Sequence, residues 1–187
     1  IKGFAGDINK ESARLITLVN DIIKLSELDE GAYSTETDEK VDLLKTAAEV
    51  KKRLEKIAAK KNVKIAVTGE DAEITGGESL VFEMIYNLCD NAVKYNKENG
   101  NVTVSVGRSE GAPFVTVKDT GIGIPPEYTD RIFERFFRVD KSRSKESGGT
   151  GLGLSIVKHI AMSLGADIRV ESAVGKGTEI TVTFNNK

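Results

Sequence analysis

The chain opens on a helical pattern. From about Gly6 to Glu30, Ile8, Leu15 and Ile22 recur every seven residues, and Leu18, Val19 and Leu25 fill the same stripe. Asn9, Lys10, Arg14 and Asp21 lie opposite, and Gly31 offers a C-terminal stop. A stripe this strong needs a cover, either a partner helix or the chain's own body. Tyr33 to Lys40 is polar and reads as a linker, which divides the chain into 1–32 and 33–187.

Beyond the linker the period alternates between two and 3.6 residues. The pattern predicts a short strand at Lys40–Asp42, a helix over Leu43–Lys61, a strand over Asn62–Val67 and a short strand around Ile74. A second helix is predicted over Glu78–Tyr95. Val102, Val104 and Val106 alternate on one side of a Gly107–Pro113 turn, and Phe114, Val115 and Val117 on the other, which predicts a hairpin. A helix near Gly151–Leu164 precedes two last strands, Asp167–Ser172 and Thr178–Phe184. Strands come in pairs instead of alternating strictly with helices. The expected class is therefore α+β, an α/β sandwich with a mixed sheet and helices on one face, and not a doubly wound parallel sheet.

Composition narrows the function classes. The 187 residues carry a net charge of −2 with both signs well mixed, so nothing suggests nucleic-acid affinity. The one cysteine, Cys89, excludes an internal disulfide, fits a reducing compartment and reads as a small buried side chain. No apolar run approaches the roughly 20 residues of a membrane helix. The stretch is expected to be soluble and cytoplasmic, with any membrane anchor of a parent chain lying upstream.

The 78–95 helix carries the first chemistry. Asn87, Asn91 and Lys94 fall at i, i+4 and i+7 on one face, while Val81, Met84, Ile85, Leu88 and Ala92 form the packing face. Two carboxamides and a cation on one stripe are not needed for a core, and they suit an anionic ligand with a metal. Two glycine-rich segments follow. Asp119-Thr120-Gly121-Ile122-Gly123-Ile124 ends a strand, where a carboxylate can accept from an exocyclic amine. Gly149-Thr150-Gly151-Leu152-Gly153 opens a helix, whose free N–H groups favour phosphate oxygens. A lone Gly-x-Gly carries little weight; the order of the three elements carries more.

With Phe133-Glu-Arg-Phe-Phe-Arg-Val-Asp140 between the glycine segments, the set resembles the ATP-binding domain of sensor histidine kinases, the Bergerat or GHKL fold. The resemblance implies ATP and Mg²⁺ as cofactors. It implies that Asn91, assisted by Asn87, ligates the metal, that Lys94 meets a phosphate and that Tyr95 lies along the adenine. Asp119 would read the adenine amino group, with Gly121 and Gly123 letting backbone approach the base. Gly149, Thr150, Gly151, Leu152 and Gly153 would hold phosphate, and Arg138 would reach the γ-phosphate, Arg135 being the weaker candidate. Lys141–Ser147 takes the place of the nucleotide lid, anchored by Phe133, Phe136 and Phe137. His159 lacks the family's phosphoacceptor surroundings and reads as structural.

Residues 1–32 resemble part of the family's dimerisation and phosphotransfer helical hairpin, which implies a homodimer through a four-helix bundle. The acceptor histidine is not recognisable in the chain. The implied partner is a response-regulator receiver domain. Relatives that hydrolyse ATP place a glutamate where Asn87 stands, and Glu83 lies a further turn back. A GHKL-type serine kinase and an ATPase or ATP-binding scaffold are the alternative readings.

Overall fold

The computed structural model describes residues 2–30, 39–139 and 149–185. The stop at Gly31, the 33–38 part of the linker and the 141–147 lid lie outside the described residues. The first helix, α1, runs over Lys2–Asp29, so it starts before the predicted Gly6. Its stripe splits in two. Leu25 is buried and Leu18 and Leu28 pack against the core, while Leu15, Ile16, Val19, Ile22 and Ile23 are exposed. The helix thus docks on its own domain with one face and leaves a second apolar face bare.

Strand β1 (Lys40–Asp42) pairs antiparallel with β3 (Glu73–Thr75) in a two-stranded sheet. Asp42 ends β1 and also caps α2 (Leu43–Ala59), its carboxylate accepting from the Lys45 N–H at 2.9 Å. α2 turns Leu43, Ala47, Val50, Leu54 and Ala58 inward, the 3.6-residue spacing of an amphipathic helix. It ends before the predicted Lys61 because Asn62 takes a left-handed φ of 54°, and β2 accordingly starts late, over Lys64–Gly69.

Helix α3 (Glu78–Lys94) has an acidic first turn and a basic last turn, which suits its dipole. Val81, Met84, Ile85, Leu88 and Ala92 are all buried, as the packing face required. Each of the four larger side chains contributes about 1.5–3 kcal/mol by leaving water. Cys89 lies among them, and burial pushes its thiol up to about 12, so it is an inert core residue.

β4 (Asn101–Ser109) and β5 (Ala112–Asp119) form the hairpin, α4 follows over Gly153–Ser163, and β6 (Ala166–Ala173) and β7 (Gly177–Phe184) close the chain. The five-stranded sheet has the order β2-β4-β5-β7-β6. Only the β2–β4 pair is parallel, and α3 lies on the crossover that such a pair needs. Val104 sits opposite Val117, and Val115 opposite Val182, so these buried valines share the face that meets α2, α3 and α4. The other face is polar. Thr116 and Thr181 hydroxyls meet at 2.8 Å across β5 and β7, and Thr68 and Ser105 meet at 3.2 Å. The sheet is therefore mixed and one-sided, as its alternation implied.

Candidate active site

The polar stripe of α3, the loop after β5, the segment before α4 and the middle of α1 surround a cavity of about 1280 Å³. At one end α3 faces the start of α4. Asn87 donates its Nδ2 to the Glu83 carbonyl at 2.9 Å and to Glu83 Oε1 at 3.1 Å. Those two bonds fix the carboxamide with Oδ1 toward Gly153, where a β-carbon would come within 2.9 Å of it. The Asn91 carboxamide borders the same glycine and has no hydrogen-bond partner among the described residues. Gly153 is needed for space, since any side chain there would displace the Asn87 amide oxygen.

One turn on, Lys94, Arg138 and Tyr95 converge on Gly149. A β-carbon at Gly149 would lie 3.0 Å from Lys94 Nζ and 3.3 Å from both Arg138 Nη2 and the Tyr95 hydroxyl. Arg138 Nη1 donates to the Gly149 carbonyl at 2.5 Å. Lys94 is half-buried, and burial, with the Arg138 and Lys61 charges, lowers its pKa against the pull of Asp90 and Asp21. Two cations held this close to a glycine-lined backbone make a candidate anion site. Gly151 stands between this loop and α4 with a φ of +77°, which is why the helix starts at Gly153 and not at the predicted Gly151. Its carbonyl accepts from the Phe136 N–H at 2.9 Å, tying the phenylalanine-rich segment to the glycine loop. Phe137 packs on Tyr128, with the Arg131 guanidinium 4.4 Å over its ring, while Phe136 is exposed. Thr150 points instead at α1, and Leu152 is fully buried.

At the other end Asp119 finishes β5. Its Oδ1 accepts from the Gly121 N–H at 2.7 Å and from the Thr178 N–H at 3.3 Å, and among the described residues Oδ2 has no partner. Burial raises its pKa, opposed by those two N–H groups. Gly123 has a φ of +70° and passes against the Ala173 carbonyl, a position closed to any other residue. The loop is also fixed by the Ile122 N–H, which donates to the Tyr95 carbonyl at 3.1 Å.

Four contributors escaped the sequence reading. Asp21 of α1 accepts the Thr150 hydroxyl at 2.7 Å, so α1 supplies a wall of the cavity; burial raises the Asp21 pKa and Thr150 opposes it. Lys24 binds Glu83 Oε1 at 2.8 Å, which adds α1 to the chain that orients Asn87. Thr178 and Ser172 close the Asp119 end from the last hairpin. No local signal marks any of these, because each acts through a segment distant in sequence. Arg135 is not at the anion site: it pairs with Asp29, 2.7 Å from both carboxylate oxygens. His159 Nε2 lies 3.0 Å from Asp29 Oδ1 and its Nδ1 pairs with the Ser155 carbonyl at 2.9 Å, a structural position.

The one-sided mixed sheet, with a carboxylate at one end of the cavity and cations on a glycine loop at the other, defines an ATP-binding catalytic domain of the sensor histidine kinase type. Residues 76–187 match the model of the histidine kinase-, DNA gyrase B- and HSP90-like ATPases, and the chain belongs to that family. It is 35% identical over 181 residues to the sensor histidine kinase YkoH of Bacillus subtilis, covering 96% of this chain and 38% of that protein. It is 38% identical over 187 residues to the sensor-like histidine kinase SenX3 of Mycolicibacterium smegmatis, covering 98% and 48%. The chain thus spans less than half the length of these curated relatives. Among solved structures it resembles the mycobacterial sensor histidine kinase MprB, with a TM-score of 0.70, 29% identity and coverage of 79% of this chain and 97% of that one. It also resembles full-length ShkA in complex with AMPPNP, with a TM-score of 0.80, 27% identity and coverage of 98% and 38%.

Proposed function

We propose that this chain is the part of a sensor histidine kinase that holds ATP and presents its γ-phosphoryl group to a histidine, from which a response-regulator aspartate receives it. The observation that carries this reading is the state of Asn87. It stands one turn before Asn91, where hydrolysing relatives would need a general base, and a carboxamide cannot take a proton from water. The nearby carboxylate, Glu83, is engaged by Lys24 and by Asn87 itself. The site therefore stabilises the nucleotide without activating water. The relatives named above are sensor histidine kinases, which does not favour the serine-kinase or scaffold readings.

In the proposed arrangement Asp119 accepts from the adenine amino group through Oδ2, Tyr95 borders the base, and Gly121 and Gly123 let the loop close on it. Lys94 and Arg138 stabilise phosphate charge beside Gly149, Gly151 and Gly153, with Thr150 and Leu152 holding the loop's shape. As the histidine nitrogen attacks phosphorus, the bond from the γ-phosphorus to the β–γ bridging oxygen breaks and ADP leaves with the electron pair. Lys94 and Arg138 are placed to meet the charge that moves. The donor set fits Mg²⁺: Asn91 and Asn87 can offer amide oxygens at the cavity. Such a site suits a hard cation that keeps waters and shares phosphate oxygens; when bound, Mg²⁺ neutralises phosphate charge.

The exposed face of α1 supports residues 1–32 as the dimerisation segment, with Leu15, Ile16, Val19, Ile22 and Ile23 covered by a second copy. No helix among the described residues is long and apolar enough to cross a membrane. The test is steady-state hydrolysis of saturating Mg·ATP by the pure protein. Turnover far below one per second is expected, and several per second would overturn the kinase reading.

A further inference from the structure

Asp119 is aimed by two N–H groups that come from different segments. Gly121 belongs to the loop after β5, and Thr178 opens β7. These segments are separate in sequence, yet Oδ1 is held correctly only while both keep their places. Backbone contacts bring them together: the Gly175 N–H donates to the Ile122 carbonyl at 2.8 Å. They also pass closely, because a β-carbon at Gly177 would come within 2.0 Å of the Asp119 carbonyl oxygen.

We infer that Ser172 is the positioning residue of the base subsite, its hydroxyl locking the Gly121–Ile124 loop to the β6–β7 turn so that Asp119 presents Oδ2 to the base. Apart from Asp119 itself, it is the one side chain among the described residues that is hydrogen-bonded to both segments. Ser172 Oγ accepts from the Ile124 N–H at 2.8 Å and donates to the Gly177 carbonyl at 3.0 Å. The Thr178 hydroxyl lies 2.9 Å away. One donor and two lone pairs are the whole capacity of a serine hydroxyl. Donation to Gly177, with acceptance from Ile124 and Thr178, uses all of it. Ser172 and Thr178 are also direct partners across the β6–β7 register, so the lock rests on a sheet and not on a free loop.

Removing the hydroxyl strands the Ile124 N–H and the Gly177 carbonyl in a half-buried site. The loop and the turn then shift independently, and the two N–H groups on Asp119 Oδ1 no longer share one geometry. The loss falls on base selectivity more than on phosphate affinity, since Lys94, Arg138 and Asn91 are held by α3 and the second glycine loop.

This inference rests on the reading that Asp119 recognises adenine, and the experiment separates the two. ADP and GDP affinities are measured by calorimetry in Mg²⁺ on the full chain carrying Ser172→Ala, Ser172→Thr, Ser172→Val or Asp119→Asn. Thr and Val have the same shape and both suit a strand, so that pair isolates the hydroxyl even where the alanine variant folds poorly. Ser172→Ala and Ser172→Val are expected to reduce the preference for ADP over GDP about tenfold, and Ser172→Thr to keep it. Selectivity lost in Asp119→Asn but kept in Ser172→Val overturns the positioning role alone. Equal weakening of ADP and GDP in Ser172→Val also overturns it, since that is the mark of general destabilisation. Selectivity unchanged in Asp119→Asn overturns the adenine reading and the role of Ser172 with it.

Discussion

Replacing Asn91 by alanine is expected to weaken Mg²⁺-dependent nucleotide binding by at least about a hundredfold, the scale on which even outer partners of a metal ligand act. The side chain lies at the cavity beside Gly153, without a hydrogen-bond partner among the described residues, so its loss breaks no hydrogen bond among them. Alanine is also the better helix former. Stability should therefore hold or rise while binding falls, an opposition that separates a ligand from a packing residue. Calorimetric titration with ADP, with and without Mg²⁺, reads the effect, and thermal denaturation reads the fold. Unchanged Mg²⁺-dependent affinity would remove Asn91 from the metal site.

Asp119→Asn should act at the other end and in a different currency. The asparagine Oδ1 can still accept from Gly121 and Thr178, whose N–H groups now hold the aspartate at 2.7 and 3.3 Å. The atom that replaces Oδ2 is then an NH₂, which faces the adenine amino group donor to donor. A lost hydrogen bond to a charged acceptor, with an unpaired donor left behind, costs ATP about ten- to a hundredfold in affinity. A guanine carbonyl at that place would be tolerated better, so the preference for ATP over GTP should narrow. The fold should not suffer, because burial already opposes the Asp119 charge. Acid tests the same atom: as pH falls through the raised pKa of Asp119, the carboxylate gains a proton and adenine affinity drops. Full ATP preference in the variant, read by competition between the two nucleotides, would contradict the assignment.

Much of this arrangement was legible in the chain because its signals are local. A helix with amides on one stripe and aliphatic residues on the other announces both its packing face and its working face. The carboxylate at a strand end and the glycines before a helix each carry their chemistry within a few residues. Boundaries were less legible. The β4–β5 turn looked as wide as Gly107–Pro113, yet Gly107 pairs with Phe114 and Arg108 with Pro113. The true turn is Glu110-Gly111, with φ values of 53° and 86°, the two-positive geometry of a tight hairpin. Glutamate in place of the usual asparagine or aspartate hides it.

Helix α1 was legible as amphipathic but not as to which residues it buries. Its apolar positions cover more than one face, and beside Leu18, Leu25 and Leu28 it docks through polar pairs: Asp21 to Thr150, Lys24 to Glu83 and Asp29 to Arg135. Such pairs join residues 59 to 129 positions apart, and no window along the sequence contains both partners. Ser172 was hidden for the same reason, since its three partners belong to two other segments.

The central claim is that the cavity between α3, the loop after β5 and the start of α4 binds ATP by its base at Asp119 and by its phosphates near Asn91. Titration of the purified chain with AMPPNP, in Mg²⁺ and again in EDTA, tests it most directly. The expected result is one saturable site per chain, much weaker without the metal, and far weaker still for GMPPNP. No saturable binding, or binding indifferent to both the metal and the base, would contradict the account.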